Sequence, residues 1–268
     1  MQQPFAIGRS ACVLGAFDLG RYWEGLMRGR REVIKVGHMI EEIKVLAFDT
    51  FGTVTDWHTG VSRTLSEIFP ELDSSMLANQ WRAAYSPALA EVESGSRPWT
   101  LLDDLHRETL ETLVRDHGCY PSVEQLDAAV QAWHVIPGWP DSVTALTRMK
   151  SGYVISTMSN GNVAMLTRMA KNAGLPWDVV AGADLWRHYK PARETYLGLA
   201  ELLQVEPHEM LMVATHASDL DAARSFGLRT AYVERPGEYG PQPKHESSNP
   251  KDLFHARDLN DLATQLGC

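Results

Sequence analysis

No apolar run in the chain reaches the roughly 18–20 residues that a membrane-spanning helix requires, which excludes a helical membrane protein. Cysteine is nearly absent. Cys12, Cys119 and Cys268 are the only three, an odd count without short spacings, so neither a disulfide framework nor a zinc knuckle can be built. That usage fits a reducing compartment, and a cytoplasmic location is expected. Basic charge is in deficit as well: the net charge of −9 gives no reason to expect nucleic acid or an anionic membrane surface as partner. An anionic small molecule would need a local basic site. Lysine is missing altogether from Asp49 through Met149, so that stretch cannot supply an amine for imine chemistry.

What remains is ordinary globular material: 268 residues, 44% hydrophobic, enough for one or two domains with a real core. Residues 1–38 carry a short apolar patch followed by the charged run Arg28-Gly29-Arg30-Arg31-Glu32, the reverse of a secretory signal, and are expected to lie outside the fold. Either Met39 is the true start or the segment is a real extension. From Ile40 a strand-like pattern begins.

Short apolar runs end repeatedly at polar turns. Ile43–Phe48 ends at Asp49, Tyr153–Met158 at Ser159-Asn160-Gly161, Val179–Ala183 at Asp184, Met210–Ala214 at Thr215-His216, and Thr230–Val233 at Glu234. Helical patterns lie between them: Asn162–Ala173 closing at Gly174, Glu194–Leu203, and Asp219–Phe226. This alternation predicts an α/β fold, a doubly wound parallel Rossmann-like sheet, with functional groups beyond the carboxyl ends of the strands. Residues 57–137 break the alternation. Val61–Phe69, Ser75–Val92, Leu101–Asp116 and Val123–Trp133 all read as helices, so an all-helical cap domain is expected to be inserted at 57–137 into a core made of 39–56 and 138–268.

Asp49 is the first candidate site residue. A strand-end carboxylate can simply bond its own turn or cap a helix, and each of Ser159-Asn160, Lys190-Pro191 and Asp219 has an equally plain reading alone. Their order on one sheet is more specific. In it the chain resembles the haloacid dehalogenase (HAD) superfamily, over essentially Ile43 to Leu266. The matching motifs are Asp49-Thr50-Phe51-Gly52-Thr53, Ser159-Asn160-Gly161, Lys190-Pro191 and the acidic loop before Leu220-Asp221-Ala222-Ala223.

The resemblance implies that Asp49 attacks substrate and carries a covalent intermediate. Most of that superfamily transfers phosphoryl groups with magnesium, using a second acid two residues after the nucleophile. Here that residue is Phe51, and Ala214-Thr215-His216 stands where a Gly-Asp pair is usual, so no metal and no other cofactor is expected. The lysine-free stretch removes the phosphonate hydrolases of the superfamily, which use a cap lysine. Trp81-Arg82 and the spacing from Lys190 to Tyr196 resemble the type II L-2-haloacid dehalogenases. By that resemblance the expected reaction converts a short (S)-2-haloalkanoic acid to the (R)-2-hydroxy acid and halide through an aspartyl ester, in a homodimer. The alternatives are a phosphatase on a small phosphate ester and an idle binding protein on the same scaffold.

The implied roles are as follows. Arg82 holds the substrate carboxylate or the halide. Asn160 adds an anion donor, and Ser159 and Thr50 bind substrate near it. Lys190 keeps Asp49 ionised, Thr53 aims it, and Tyr196 ties Lys190 in place. Phe51 forms an apolar wall. Asp219 orients Lys190 or the hydrolytic water. His216, which departs from the family pattern, is taken as a base for ester hydrolysis, the alternative being a polar loop histidine. Trp57, Trp99 and Trp186 could line the pocket or simply be core.

Overall fold

The computed structural model describes residues 39–268; the expectations for residues 1–38, Cys12 included, fall outside them. Residues 39–41 are helical, where a strand-like pattern was expected. Glu42–Cys268 form one compact unit.

Five strands make one parallel sheet: β1 (Val45–Phe48), β2 (Val154–Thr157), β3 (Met210–Ala214), β4 (Arg229–Val233) and β5 (Phe254–Ala256), in the order β2-β1-β3-β4-β5. The register pairs Val45 with Val154 on one side and with Met210 on the other. β1 and β3 are buried at every residue, the condition that makes a parallel strand read as an unbroken apolar run. The sheet order reverses at β1. Its two neighbours come from connections running in opposite directions, so the crevice beyond its carboxyl end is the switch point where such sheets hold ligands.

Between β1 and β2 lie α1 (Trp57–Ile68), α2 (Ser74–Glu93), α3 (Leu102–Asp116), α4 (Val123–Gln131) and α5 (Ser142–Lys150). Residues 57–137 contain no strand. Short polar residues cap three of these helices, α1, α2 and α4: Asp56 accepts from Thr59 N, Asp73 from Met76 N, and Ser122 with Gln125 forms a reciprocal capping box. α1–α4 share a buried cluster around Trp57, Trp81 and Trp133 that also takes in Phe51. Trp133 is its hub, stacked on His106 at 4.5 Å and edge-on to Trp81 at 5.4 Å.

The remaining helices are α6 (Val163–Ala173), α7 (Arg193–Leu202), α8 (Ala217–Ser225) and α9 (Leu259–Gln265). α6 ends at Gly174 in the left-handed conformation, as the sequence pattern requires. The run Val179–Ala183 is not a strand. It meets the sheet through isolated bridges, Ser156 to Val179 and Ser159 to Gly182, and through Thr157 Oγ1, which accepts from Ala181 N at 2.7 Å, and it forms no ladder. β5 forms the opposite edge, beside β4, and its three residues are too few to display a period in the sequence.

Candidate active site

Asp49 is delivered by strand pairing. Its backbone N–H donates to Val213 O at 3.0 Å, extending the β1–β3 ladder one residue past β1, so the side chain emerges at the sheet's carboxyl edge. The turn that follows needs Gly52: its φ is +86°, and a Cβ there would come within 2.2 Å of Glu238 Oε1.

The two carboxylate oxygens of Asp49 are held differently. Oδ1 accepts from Lys190 Nζ at 2.9 Å. Oδ2 accepts from Thr53 Oγ1 at 2.8 Å and faces His216 Nδ1 at 3.1 Å. Thr215 N donates to Thr53 Oγ1 at 3.0 Å, which turns the threonine hydroxyl proton toward Asp49. Burial pushes the Asp49 carboxyl upward. The Lys190 ammonium, with His216, outweighs that and holds the group far below the usual carboxylate range. The carboxylate is therefore ionised, almost dry and pinned at both oxygens.

Lys190 precedes α7 and its backbone N donates to Asn160 Oδ1 at 2.7 Å, so the loop after β2 positions the lysine. Its ammonium bridges Asp49 and Asp219, and the two carboxylates outweigh burial to keep it charged beyond its ordinary range. Asp219 lies in the first turn of α8 and also accepts from Tyr196 OH at 2.7 Å. Burial raises its carboxyl, only partly opposed by Lys190. Tyr196 thus reaches Lys190 only through Asp219, not directly as expected.

His216 caps α8 with both ring nitrogens occupied: Nδ1 by Asp49 and Nε2 by Glu238 Oε1 at 2.8 Å. Such a ring has no free lone pair. Burial favours the neutral form, but Glu238 and Asp49 overcome it and raise the imidazole to about 9. Against the expectation of a base, the geometry is that of an imidazolium. Glu238 is wholly buried. It also accepts from Lys244 Nζ at 2.5 Å and from Trp57 Nε1 at 3.3 Å, and the charges of His216, Lys244 and Arg82 hold it near 2 against the upward push of burial.

A cleft of about 1030 Å³ opens over this group, with Asp49, Lys190, Asp219 and His216 on the sheet side and Arg82 and Tyr85 of α2 opposite. Arg82 is half-buried, its guanidinium carbon 4.3 Å from the Tyr85 ring centroid, and its buried Nη1 has no hydrogen-bond partner. A half-buried cation with a buried, unused N–H at a cleft wall is a place for an anion. Asn160 also lines the cleft.

Other expected residues stand elsewhere. Phe51 does not line the cleft; it is edge-on to Trp133, centroids 5.6 Å apart, in the core of α1–α4. Ser159 Oγ accepts from Gly161 N at 3.2 Å and shapes its own turn. Thr50 Oγ1 is buried without a partner. Trp57 is core, Trp99 stacks on Tyr189 and Trp186 packs against Gly198; none of the three borders the cleft. Glu238, Lys244 and Tyr85 were missed. Glu238 and Lys244 sit in a Pro- and Gly-rich stretch that reads as plain loop, and the one available signal was that this loop leaves the carboxyl end of β4.

These residues do not fit a divalent cation. The space between Asp49 and Asp219 belongs to the Lys190 ammonium, and among the described residues no three His, Cys, Asp or Glu side chains are arranged as a metal site.

Comparison with known proteins agrees with this fold. The chain is 30% identical to (S)-2-haloacid dehalogenase 4A of Burkholderia cepacia over 81% of its own length and 95% of that protein. Among solved structures, a defluorinating L-2-haloacid dehalogenase matches with 41% identity and a TM-score of 0.82, covering 84% of this chain and 96% of the other. A second L-2-haloacid dehalogenase matches with 39% identity and a TM-score of 0.80, covering 84% and 99%. Residues 43–227 match the family model of haloacid dehalogenase-like hydrolases, and the chain belongs to that family.

Proposed function

We propose that the protein hydrolyses short (S)-2-haloalkanoic acids to (R)-2-hydroxyalkanoic acids and halide through an ester on Asp49, with residues 57–137 acting as a cap over the α/β core. The observation that carries this reading is the inventory around Asp49. An ionised carboxylate is held by Lys190 and Thr53, no acid stands two residues on, and the unpaired Nη1 of Arg82 lies across the cleft. Displacing halide needs a nucleophile and an anion site but no proton donor, because halide departs without a proton. The names of the relatives point the same way.

Oδ1 is the attacking oxygen. It accepts one hydrogen bond, where Oδ2 faces two donors, so it keeps the freer lone pair. Attack forms the Oδ1–carbon bond as the carbon–halogen bond breaks and its electron pair leaves with halide. The back-side path inverts the carbon. Water then adds to Cγ of Asp49, Asp219 taking its proton, and the Cγ–Oδ1 bond breaks. Asp219 returns that proton to the departing alkoxide, and the new Asp49 carboxyl loses its own to solvent. Asp219 is suited to this because burial raises its carboxyl while Tyr196 and Lys190 orient it.

The test is halide release from chloro-, bromo- and fluoroacetate and from both 2-chloropropionate enantiomers, with and without chelator. Chelator-insensitive release from the (S) enantiomer, abolished by Asp49→Asn, is expected. Metal-dependent phosphate release from a generic phosphate ester, with no halide from any substrate, would sink the proposal.

A further inference from the structure

The geometry points to His216 as the oxyanion donor of ester breakdown, kept doubly protonated by Glu238, itself a positioning residue held by Lys244. This rests on the dehalogenase reading above and concerns its second half-reaction.

The atom-by-atom division of Asp49 carries the assignment. If Oδ1 becomes the ester oxygen, Oδ2 becomes the ester carbonyl oxygen. That oxygen lies 2.8 Å from Thr53 Oγ1 and 3.1 Å from His216 Nδ1. When water adds to Cγ, the carbonyl π pair moves onto Oδ2, and the charge grows where these two donors already point. On collapse the pair returns to the carbonyl and the Cγ–Oδ1 bond breaks. Donors preset at about 2.7–3.1 Å from a developing oxyanion are the arrangement that stabilises such a step.

The charge state follows from connectivity. A neutral imidazole has one N–H, so with carboxylate oxygens at both nitrogens one contact would set lone pair against lone pair. Two N–H groups satisfy both. When Asp49 is esterified its charge disappears, but Glu238 remains. Glu238 is fully buried, and Lys244, Trp57 and the close-packed Gly52 keep its carboxylate on His216. Lys244 Nζ is itself anchored by Thr215 O at 2.9 Å and Thr215 Oγ1 at 2.6 Å, next to His216 in the chain. The histidine, its buried carboxylate and the lysine thus form one connected unit joining the loop after β3 to the loop after β4. The other charged groups bordering the cleft are Lys190 before α7, Asp219 on α8, Arg82 and Glu93 on α2 and Glu246 of the same post-β4 loop; the tyrosine hydroxyls of Tyr85, Tyr196 and Tyr239 complete the titratable set.

A base and an oxyanion donor need opposite protonation states, so single-turnover kinetics separate them. Excess enzyme is mixed with (S)-2-chloropropionate; halide release reports ester formation, and hydroxy acid release with intact mass of the adduct reports breakdown. Wild type should break down the ester at a level rate through neutral pH and more slowly on the alkaline side, as His216 loses its proton. His216→Ala should still release halide and accumulate ester, with breakdown slower by about 10²–10³-fold. His216→Asn, which keeps a neutral N–H, should recover part of that loss without the alkaline fall. Glu238→Gln should move the alkaline fall to lower pH. Halide release by each variant is the control for a folded site. The assignment is overturned if breakdown in wild type rises with pH through the imidazole range and His216→Asn is as slow as His216→Ala. It is equally overturned if both variants break the ester down at the wild-type rate. Absence of halide release from wild type overturns the dehalogenase reading, and this assignment with it.

Discussion

Replacing Lys190 by Met removes one charge and leaves the shape nearly intact, which isolates what the ammonium does. Its side chain is 9% exposed, as are those of the two carboxylates it joins. Without it, Asp49 retains Thr53 and His216, but two buried carboxylates then face each other with no ion between them. An opposite charge at this distance lowers a carboxyl by about 1–3 pH units, so its loss should raise the acid limb of ester formation by that amount. The pair would take up a proton, with an apparent value belonging to both groups. Breaking a buried ion pair by deleting one partner also costs about 3–5 kcal/mol. The sign of the pH effect is definite. In wild type the lowered Asp49 carboxyl contributes stability above its ordinary value of 3.8, lost only as pH falls further. In the variant the uncompensated carboxylates are raised instead, so ionising them destabilises, and the stability gap to wild type should narrow toward about pH 5. The assay is the halide burst in single turnover across pH, paired with denaturant melts at two pH values. An unmoved acid limb, with the burst merely scaled down and the stability gap constant, would refute the electrostatic role of Lys190.

Glu238→Gln should lower stability most near neutral pH. The Glu238 carboxyl is held at about 2 against an ordinary 4.5, a contribution present above 4.5 and lost as pH falls toward 2. The difference corresponds to about 3 kcal/mol, or roughly 6–12 °C in Tm at neutral pH, and equal Tm gaps in neutral and acid buffer would contradict it. His216 adds the opposite slope: its raised imidazole contributes below 6.5, and that contribution fades as pH rises through about 9, which pH-dependent melts of wild type against His216→Asn should show. Arg82→Lys should raise KM for the haloacid by about tenfold or more while Asp49 still forms ester, because a point charge cannot replace the planar fork at the cleft wall; an unchanged KM would remove Arg82 from substrate binding. Trp133→Ala should cost about 3–5 kcal/mol by emptying the hub of the α1–α4 core, read by chemical denaturation.

Much of the fold was legible because the signals are local. Buried parallel strands read as unbroken apolar runs, and β1 to β4 were found that way. α6 was bounded by Gly174, and the helical stretch after β1 by its changed periodicity. β5 was not legible, because three residues cannot display a period, and Val179–Ala183 looked like a strand because composition does not report pairing.

The candidate site divides along the same line. The sequence alone established the family resemblance, the strand-end aspartate, the missing second acid at Phe51 and the set of polar residues that the sheet would gather, since each depends on residue type at a position along one strand or turn. Tertiary structure decided what each of them touches. Tyr196 turned to Asp219, Phe51 turned into the helical core, and His216 was enclosed between Asp49 and Glu238, 167 and 22 residues away in sequence. Whether an imidazole gives or takes a proton depends on the charges within a few ångströms of it. Those neighbours are set by how separate loops meet at the end of a sheet, which no local pattern encodes.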